Sequence, residues 1–316
     1  MTTGQAPTPP AAAPRHSARI GIACGVAAYA MWGILPVYFK LLKAVSPIDI
    51  VAHRIVWSMI ALGLAISLLG RWGAVRTAVA DRATRRLLLV TACLIAVNWL
   101  LYVYAINSGH ILAGSLGYYL NPLANILLGR FLLGERLERL QWAAVAIAAA
   151  GVAFLAFGAL DTLWISLTLC VSFASYGFLR KQARVDSLTG LTIETMLLFP
   201  VAAGWLALGW SAGRAIAGNG GGELALLALT GIVSTVPLLL FTEAARRLRY
   251  ATVGMLQYIA PTLQFLLAVI VYHEPFNLHH AVAFAAIWLA LALYAAGSWR
   301  AARTPALAGA AATGQD

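Results

Sequence analysis

Ten long apolar runs, joined by short polar segments, make up most of the chain. Each is close to the roughly 20 apolar residues that a helix needs to cross a bilayer, and none shows the two-residue alternation of barrel strands. Because lipid offers the backbone no hydrogen-bond partners, runs of this kind form helices. The pattern predicts an all-α polytopic membrane protein with ten transmembrane helices, at residues 20–40, 49–70, 87–107, 112–133, 140–159, 163–181, 190–210, 223–243, 251–273 and 277–299.

The two terminal segments fall outside this pattern. Residues 1–19 and 300–316 are rich in Pro, Ala and Thr, and such segments bury too little apolar surface to fold. Both are therefore predicted to be disordered tails. The run that begins at Ile20 is longer than the core of a signal peptide and has no convincing cleavage site. It is predicted to be retained as the first span.

Composition supports a membrane protein and argues against a soluble one. The chain is 61% hydrophobic and only 10% charged, whereas a soluble domain has about 25% charged residues to wet its surface. The three cysteines, Cys24, Cys93 and Cys170, all lie in apolar runs. Their placement predicts neither a disulfide framework nor a metal site of the CxxC type.

The 22 Lys and Arg residues are unevenly distributed between the two sides of the predicted membrane. With the N-terminus in the cytoplasm, 18 of them lie on the cytoplasmic side and only Lys40, Lys43, Arg54 and Arg214 on the other. Short cytoplasmic loops carry an excess of positive charge, so both termini are predicted to be cytoplasmic. The net charge of +11 follows a membrane face, which argues against a nucleic-acid partner.

Two stretches of the sequence resemble each other, LGYYLNPLANILLGRFLLGE (residues 116–135) and MLQYIAPTLQFLLAVIVYHE (residues 255–274). Tyr119, Pro122 and Glu135 recur 139 positions later as Tyr258, Pro261 and Glu274. Each predicted repeat, 20–159 and 163–299, has five spans, and an odd number reverses the orientation of the second copy. The loops that correspond in the two repeats also differ in charge, because where a loop is rich in Arg in one copy its counterpart has little or no Lys and Arg. Two inverted five-helix repeats are predicted, an architecture of secondary transporters.

Several motifs resemble a known family: AYAMWGILPVYFKLL, HRIVWS, NWLLYVYAINSGHILAGSLGYYLNPL, GER, LRKQ, ET and QYIAPTLQF. Together they resemble the RarD-type branch of the EamA family in the drug/metabolite transporter superfamily, over about residues 20–299. The resemblance implies ten helices in two inverted repeats and a bacterial inner-membrane permease that hydrolyses no ATP. The branch is linked by name to chloramphenicol sensitivity. Substrates in the superfamily include amino acids, drugs and other metabolites, so the resemblance names no single solute.

Polar and aromatic residues inside the predicted spans are the candidates for a substrate cavity. Tyr118, Asn121 and Asn125 share one helical face at i, i+3 and i+7, and polar groups at membrane depth usually face the bundle interior. The alternative is that such groups only bond neighbouring helices. The cavity is predicted between spans 1, 3 and 4 and their partners 6, 8 and 9. Its residues are Trp32, His53, Arg54, Asn98, Trp99, Tyr102, Tyr118, Asn121, Asn125, Tyr176, Glu194, Gln257, Tyr258 and Gln264.

The charged members of this set have distinct expected roles. A guanidinium such as that of Arg54 can clamp a carboxylate or phosphate, and His53 can titrate near neutral pH. Glu194 lies about one turn inside span 7. His53 or Glu194 would carry the proton if transport is proton-coupled, which the sequence leaves open. A plain structural ion pair is the alternative for these three residues.

Four further residues are predicted to shape helices or gates. Pro122 and Pro261 interrupt the backbone hydrogen bonds of their spans. Glu135 and Glu274 end the two matched helices on opposite faces of the membrane and are expected to bond nearby helix termini. The stretch HEPFNLHH, residues 273–280, has metal-ligand residue types, but Pro275 prevents one helical face from presenting them. Neither a metal site nor a cofactor is predicted.

The sequence therefore predicts a secondary transporter that exports a small metabolite or drug across the inner membrane by alternating access. Its expected partners are a small-molecule substrate and the lipid bilayer, and its oligomeric state is open. The alternatives are an intramembrane enzyme and a small-molecule receptor that does not translocate. The enzyme would need paired catalytic residues at depth, and Asp49, Asp81, Asp161 and Asp186 all lie at span ends or in loops.

Overall fold

The chain is all-helical in the computed structural model, which describes residues 15–42, 44–107, 111–156, 161, 163–214, 221–271, 281–282 and 285–297. No strand occurs in these ranges, which confirms the all-α prediction. A π-helical turn, Leu267–Val271, follows the eleventh helix. The helices are α1 (Arg15–Lys40), α2 (Pro47–Leu68), α3 (Trp72–Ala80), α4 (Arg82–Asn107), α5 (Ile111–Phe131), α6 (Arg139–Ala156), α7 (Leu163–Gln182), α8 (Ser187–Ser211), α9 (Gly221–Arg247), α10 (Tyr250–Gln257), α11 (Ile259–Leu266) and α12 (Ala285–Gly297).

Within the described residues, six helices are long and apolar enough to cross a bilayer. They are α1, α2, α4, α7, α8 and α9, and their most apolar stretches have mean hydropathies between 1.3 and 2.3. Shorter apolar stretches lie in α6, at Arg139–Phe154, and in α12. A multi-pass membrane protein follows from these helices. The count of ten spans stays a prediction.

Helix α3 is an element that the apolar pattern does not predict, because the sequence reads as a polar linker between the second and third runs. Its nine residues are too few to span the bilayer. Val75 and Ala78, three positions apart, are buried against Ile66, Leu88 and Ile193. The opposite face of α3 is exposed. The helix is therefore a short amphipathic element packed on the end of the bundle.

The two prolines of the matched stretches act differently. Pro122 lies inside α5, which continues through it from Ile111 to Phe131. In the second copy the helix is interrupted at Tyr258, between α10 and α11. Pro261 has no N–H to donate to the carbonyl of Gln257, which fits a break at this point. The second copy is therefore the more segmented of the two.

The helices pack in a defined set of pairs. Helix α1 contacts α9 and α11, α7 contacts α4 and α5, α2 contacts α8 and α9, α8 contacts α4, and α5 contacts α10. The largest core lies where α1, α7 and α9 meet and includes Tyr29, Phe173, Tyr176 and Phe241. The rings of Tyr176 and Phe241 are stacked with centroids 6.3 Å apart.

One close approach sets the spacing between α2 and α9. The side-chain hydroxyl of Ser58 donates a hydrogen bond to the carbonyl of Gly231, at 3.1 Å. A Cβ atom on Gly231 would lie 2.5 Å from the carbonyl carbon of Trp57 and 2.7 Å from the amide nitrogen of Ser58. Glycine is therefore needed at this position because the backbone of α2 occupies the space of a side chain.

Candidate functional site

A small cavity, of about 20 Å³, lies among α2, α4, α8 and α9. The prediction placed a cavity at spans 1, 3, 4, 6, 8 and 9. The observed cavity includes two of these predicted spans, span 3 (α4) and span 8 (α9). Its other two helices, α2 and α8, replace spans 1, 4, 6 and 9. Most of its wall is apolar, with several hydroxyl groups and one carboxylate. The lining residues are Ile55 and Ser58 of α2, Ile95 and Trp99 of α4, Leu191, Glu194, Thr195 and Leu198 of α8, and Ser234, Thr235 and Leu238 of α9.

Glu194 brings a buried ionic cluster to the wall of this cavity. Its carboxylate accepts hydrogen bonds from the hydroxyl of Thr91, at 2.5 Å, and from the hydroxyl of Tyr176, at 3.2 Å. The guanidinium Nε of Arg180 lies 3.6 Å from the same carboxylate, which makes an ion pair too long for a hydrogen bond. The side chains of Arg180 and Glu194 are only 0% and 2% exposed. The cluster joins α4, α7 and α8.

Arg180 itself was missed as a site residue, because the sequence places it at the cytoplasmic end of a span among other basic residues. Its Nη2 atom donates to the carbonyl of Ser187 at 3.2 Å. Its Nε and Nη1 atoms have no hydrogen-bond acceptor among the described residues. Gly190 makes room for the group, since a Cβ there would lie 1.9 Å from Nη1. The guanidinium therefore holds unused donors beside Glu194.

Arg54 and Trp99 are brought together beside the cavity. The central carbon of the Arg54 guanidinium lies 3.9 Å from the centroid of the Trp99 ring, a cation–π geometry. Trp99 lines the cavity, and Arg54 precedes the lining residue Ile55. Nearby in the sequence, His53 is buried in α2. The cavity thus has the Trp99 ring and the Glu194 carboxylate in its wall, and the Arg54 guanidinium stacks on that ring without lining the cavity itself.

Tyr102 and Tyr118 form a second aromatic contact, between α4 and α5. Their ring centroids are 5.4 Å apart and the planes meet at 68°, an edge-to-face arrangement. Neither ring lines the cavity. Both are half-buried, and their contact joins α4 to α5.

The predicted amide groups mostly bond one helix to another. The side-chain nitrogen of Asn98 donates to the carbonyl of Leu169 at 2.9 Å and to the hydroxyl of Ser172 at 3.0 Å. Asn125 donates to the side-chain oxygen of Gln257 at 2.9 Å. Gln264 donates to the carbonyl of Trp32 at 3.2 Å. In these contacts the amide groups bond neighbouring helices, which is the alternative to a role in the cavity.

Four other predicted cavity residues lie away from the lining as well. Asn121 is fully buried in α5, and its side-chain oxygen and nitrogen have no hydrogen-bond partner in the described part of the chain. Trp32 packs on Phe173 and Phe241 in the aromatic core, with ring centroids 5.9 and 5.8 Å apart. Tyr258 is buried in a second core. Tyr176 also lies in the aromatic core, but its hydroxyl reaches Glu194.

Glu135 closes the first matched stretch by bonding the start of α10. Its two carboxylate oxygens accept from the backbone N–H of Tyr250, at 2.5 Å, and of Ala251, at 3.0 Å. Arg249 lies 3.9 Å away as an ionic partner. A carboxylate at a helix N-terminus satisfies free N–H groups and faces the positive end of the helix dipole. Glu274 and the HEPFNLHH stretch lie outside the described residues.

Replacing Glu135 with glutamine should destabilise the protein. The glutamine side chain has no negative charge, and its NH₂ group would face one of the two backbone N–H donors, Tyr250 or Ala251. We therefore expect a loss of about 1–2 kcal/mol in the free energy of unfolding. Denaturation by SDS in mixed micelles measures this difference. Glu138→Gln, on the same loop but exposed, is the matched control. An equal effect of the two substitutions would contradict the capping role.

Polar contacts at the Arg-rich edge join several helix ends. Arg71 makes two hydrogen bonds to Asp186, at 3.1 and 2.9 Å, and Ser187 donates to Glu243 at 2.9 Å. Asp186 is the N-cap residue of α8. Its carboxylate also accepts hydrogen bonds from the backbone N–H and the hydroxyl of Thr189. Burial raises the pKa of Asp186, but the bonds from Thr189 and Arg71 outweigh it and leave the pKa below its usual value. Ionised side chains therefore bond the helix ends at this edge to one another.

The geometry can now be compared with known proteins. The model of the "EamA-like transporter family" matches residues 19–157 and 162–296. The chain belongs to this family. The resemblance to the RarD-type branch is confirmed, since "Protein RarD" of Escherichia coli is 46% identical over 279 residues, which cover 87% of this chain and 94% of that protein.

Other relatives of the family agree with this assignment. An "Uncharacterized transporter" of Vibrio cholerae is 47% identical and covers 89% of this chain and 93% of its own length. The "Chloramphenicol-sensitive protein RarD" of Pseudomonas aeruginosa is 34% identical, with 86% and 92% covered. A crystal structure with 21% identity superposes with a TM-score of 0.69 over 89% of this chain and 98% of that chain, which shows a shared fold. The protein is therefore a multi-pass membrane protein of a transporter family.

Proposed function

We propose that the protein is a secondary transporter that exports a small metabolite or drug across the bacterial inner membrane by alternating access. The observation that carries the proposal is the cavity among α2, α4, α8 and α9, with Glu194 and Trp99 in its wall. Its residues lie within four long apolar helices. A pocket at this depth, with few polar groups in an apolar wall, suits a small organic solute.

The helix contacts support two inverted repeats, which alternating access would use. In this scheme α1, α2, α4 and α5 correspond to α7, α8, α9 and the α10–α11 pair. Contacts of the first set recur in the second: α1 with α9 matches α7 with α4, and α1 with α11 matches α7 with α5. Contact of α2 with α9 matches α8 with α4. The family model also matches twice, at nearly the predicted repeat boundaries.

Contacts between loops support the proposed orientation, with both termini in the cytoplasm. Arg71 bonds Asp186 and Arg249 pairs with Glu135, and all four residues belong to the Arg-rich side. On the other side, Arg214 pairs with Asp49 at 3.3 Å. Each of these contacts joins residues assigned to the same face of the membrane. The Arg-rich face is the cytoplasmic one by the positive-inside rule.

The site residues have separable roles in this proposal. The carboxylate of Glu194 lines the cavity and also faces the Arg180 guanidinium. A proton, or a cationic part of the solute, would compete with Arg180 for this carboxylate. Trp99 would contact the solute through its ring, and Arg54 would act on the site through its cation–π contact with Trp99. The amides of Asn98, Asn125 and Gln264 would hold helices together, so they would affect stability more than selectivity.

Flux measurements in proteoliposomes test this function. Chloramphenicol is the first probe, because one relative carries it in its name. We expect radiolabelled chloramphenicol to move across the vesicle membrane without ATP. Glu194→Gln and Arg54→Ala should each lower the flux at least about tenfold, which corresponds to ~1.4 kcal/mol on the barrier. Glu138→Gln, exposed and distant from the cavity, is the control.

Folding of each variant is checked by its thermal transition and its gel-filtration profile. Full flux in both Glu194→Gln and Arg54→Ala would refute the site assignment while leaving transport intact. If chloramphenicol does not move, a thermal-shift screen of metabolites and antibiotics supplies the next probe, because a ligand that binds the folded state raises its transition temperature. A receptor would bind such a ligand without accumulating it in vesicles, and that result would refute transport.

A further inference from the structure

A second open space lies outside the helical bundle, between α3, the start of α4 and α8. This groove has a volume of about 580 Å³. One part of its wall is apolar and includes Val75, Val79 and Met196. The other part carries the side chains of Arg76 and Arg85. It is separate from the central cavity and has no residue in common with it.

The position of α3 places this groove where lipid headgroups meet acyl chains. The buried face of α3 packs on Ile66 near the end of α2 and on Leu88 near the start of α4. Met196 is 38% and Leu197 39% exposed on the adjacent surface of α8, inside an apolar span. The α8 wall of the groove therefore faces hydrocarbon, and α3 lies at its edge.

The charge of the groove is positive and largely uncompensated. Arg76 is exposed and makes no ion pair within the described residues, and Arg85 donates one bond to the carbonyl of Val79 at 2.9 Å. Arg71 is occupied by Asp186. Asp81, between α3 and α4, accepts bonds from the N–H and hydroxyl of Thr84, and Arg184 lies near it. Two guanidinium groups thus remain for an external anion.

We propose that this groove is a binding site for one anionic phospholipid. The phosphate of the headgroup binds Arg76 and Arg85, and an acyl chain lies along Val79 and Met196. Guanidinium groups suit phosphate oxygens, and basic pockets at the cytoplasmic ends of membrane helices bind anionic headgroups. A zwitterionic lipid fits less well, because its ammonium group would meet the same two arginines. Only the assignment to the cytoplasmic leaflet rests on the orientation proposed above.

Lipid titration of the full chain in dodecyl maltoside tests the site. Native mass spectrometry counts bound dioleoyl phosphatidylglycerol, and the thermal shift gives its apparent affinity. Each arginine should account for about a fivefold change in affinity, since a basic residue near an anionic surface contributes about 1 kcal/mol. We expect Arg76→Gln to weaken binding about fivefold and Arg76→Gln with Arg85→Gln about 30-fold. Arg82→Gln, exposed and outside the groove, should leave binding unchanged.

A second pair of variants tests the acyl-chain part without changing charge. Met196→Trp should fill the groove and weaken phosphatidylglycerol binding, whereas Leu197→Trp, exposed but not in the lining, should not. Equal binding by the double arginine variant and Arg82→Gln would overturn the proposal. So would equal affinity for phosphatidylcholine, or protection by inorganic phosphate as strong as that by the lipid. The measurement needs no transported solute, so its failure is distinct from failure of the transport proposal.

Discussion

Arg180→Met should lower the free energy of unfolding by about 3–5 kcal/mol, the cost of leaving a buried charge without its partner. The carboxylate of Glu194 would keep the hydroxyls of Thr91 and Tyr176 but lose the only ionic partner it has among the described residues. Its side chain is 2% exposed and the cavity that it lines is small and mostly apolar, so solvent compensates only part of the lost charge. SDS unfolding in mixed micelles measures the loss.

The double variant Arg180→Met with Glu194→Met separates stability from function. Replacing both members of a buried ion pair with apolar residues of similar volume is often neutral or stabilising, so we expect most of the lost stability to return. Transport should not return, because the cavity would have lost its carboxylate. A double variant as unstable as Arg180→Met would contradict the pairing. A double variant that transports normally would contradict the role of Glu194.

Gly231→Ala should destabilise the protein by about 1–3 kcal/mol, the usual cost of overpacking a tight contact. The added methyl group would meet the backbone of α2 at Trp57 and Ser58, and backbone atoms cannot rotate away as the end of a side chain can. Helices α2 and α9 would have to separate. Because both helices line the cavity, flux should fall together with stability.

Gly204→Ala is the matched control for this prediction. Gly204 also lies inside a long apolar helix, α8, but a Cβ there would meet no atom within 4 Å. Alanine should stabilise the helix by about 0.5–1 kcal/mol, since glycine loses more backbone freedom on folding. Thermal transitions of the two variants in the same detergent make the comparison. If both substitutions shifted the transition temperature in the same direction, the close approach at Gly231 would not explain the effect of Gly231→Ala.

The long apolar runs made the helical class and the membrane location predictable from the sequence, and the family motifs made the family predictable. Glu135 could be assigned to a helix terminus because an acidic group at the end of its own helix opposes the dipole and needs partners nearby. Helix α3 was missed, since nine residues with two buried positions give a weak amphipathic signal beside runs of 20 or more. Weak local signals of this kind become visible only when a partner surface is known.

Arg180 shows why the site itself was harder to predict. The sequence places it beside Lys181 at the end of a span, where most arginines face headgroups or the cytoplasm. Burial came from the reach of the Arg180 side chain to Ser187 and Glu194 of α8, and space for the guanidinium came from Gly190. Asn98 and Asn125 are both buried, but helical periodicity does not say whether an inward face meets a cavity or another helix.

The sequence by itself determined that the chain is a helical membrane protein of the EamA family, because hydrophobicity, helix length and family motifs are local properties of the chain. The tertiary structure alone decided which inward groups meet. Glu194 pairs with Arg180 and reaches Thr91, 103 residues away, while Trp99 and Glu194 share one cavity. Such contacts depend on the packing of helices distant in sequence, and the periodicity of a single helix carries no information about its partner.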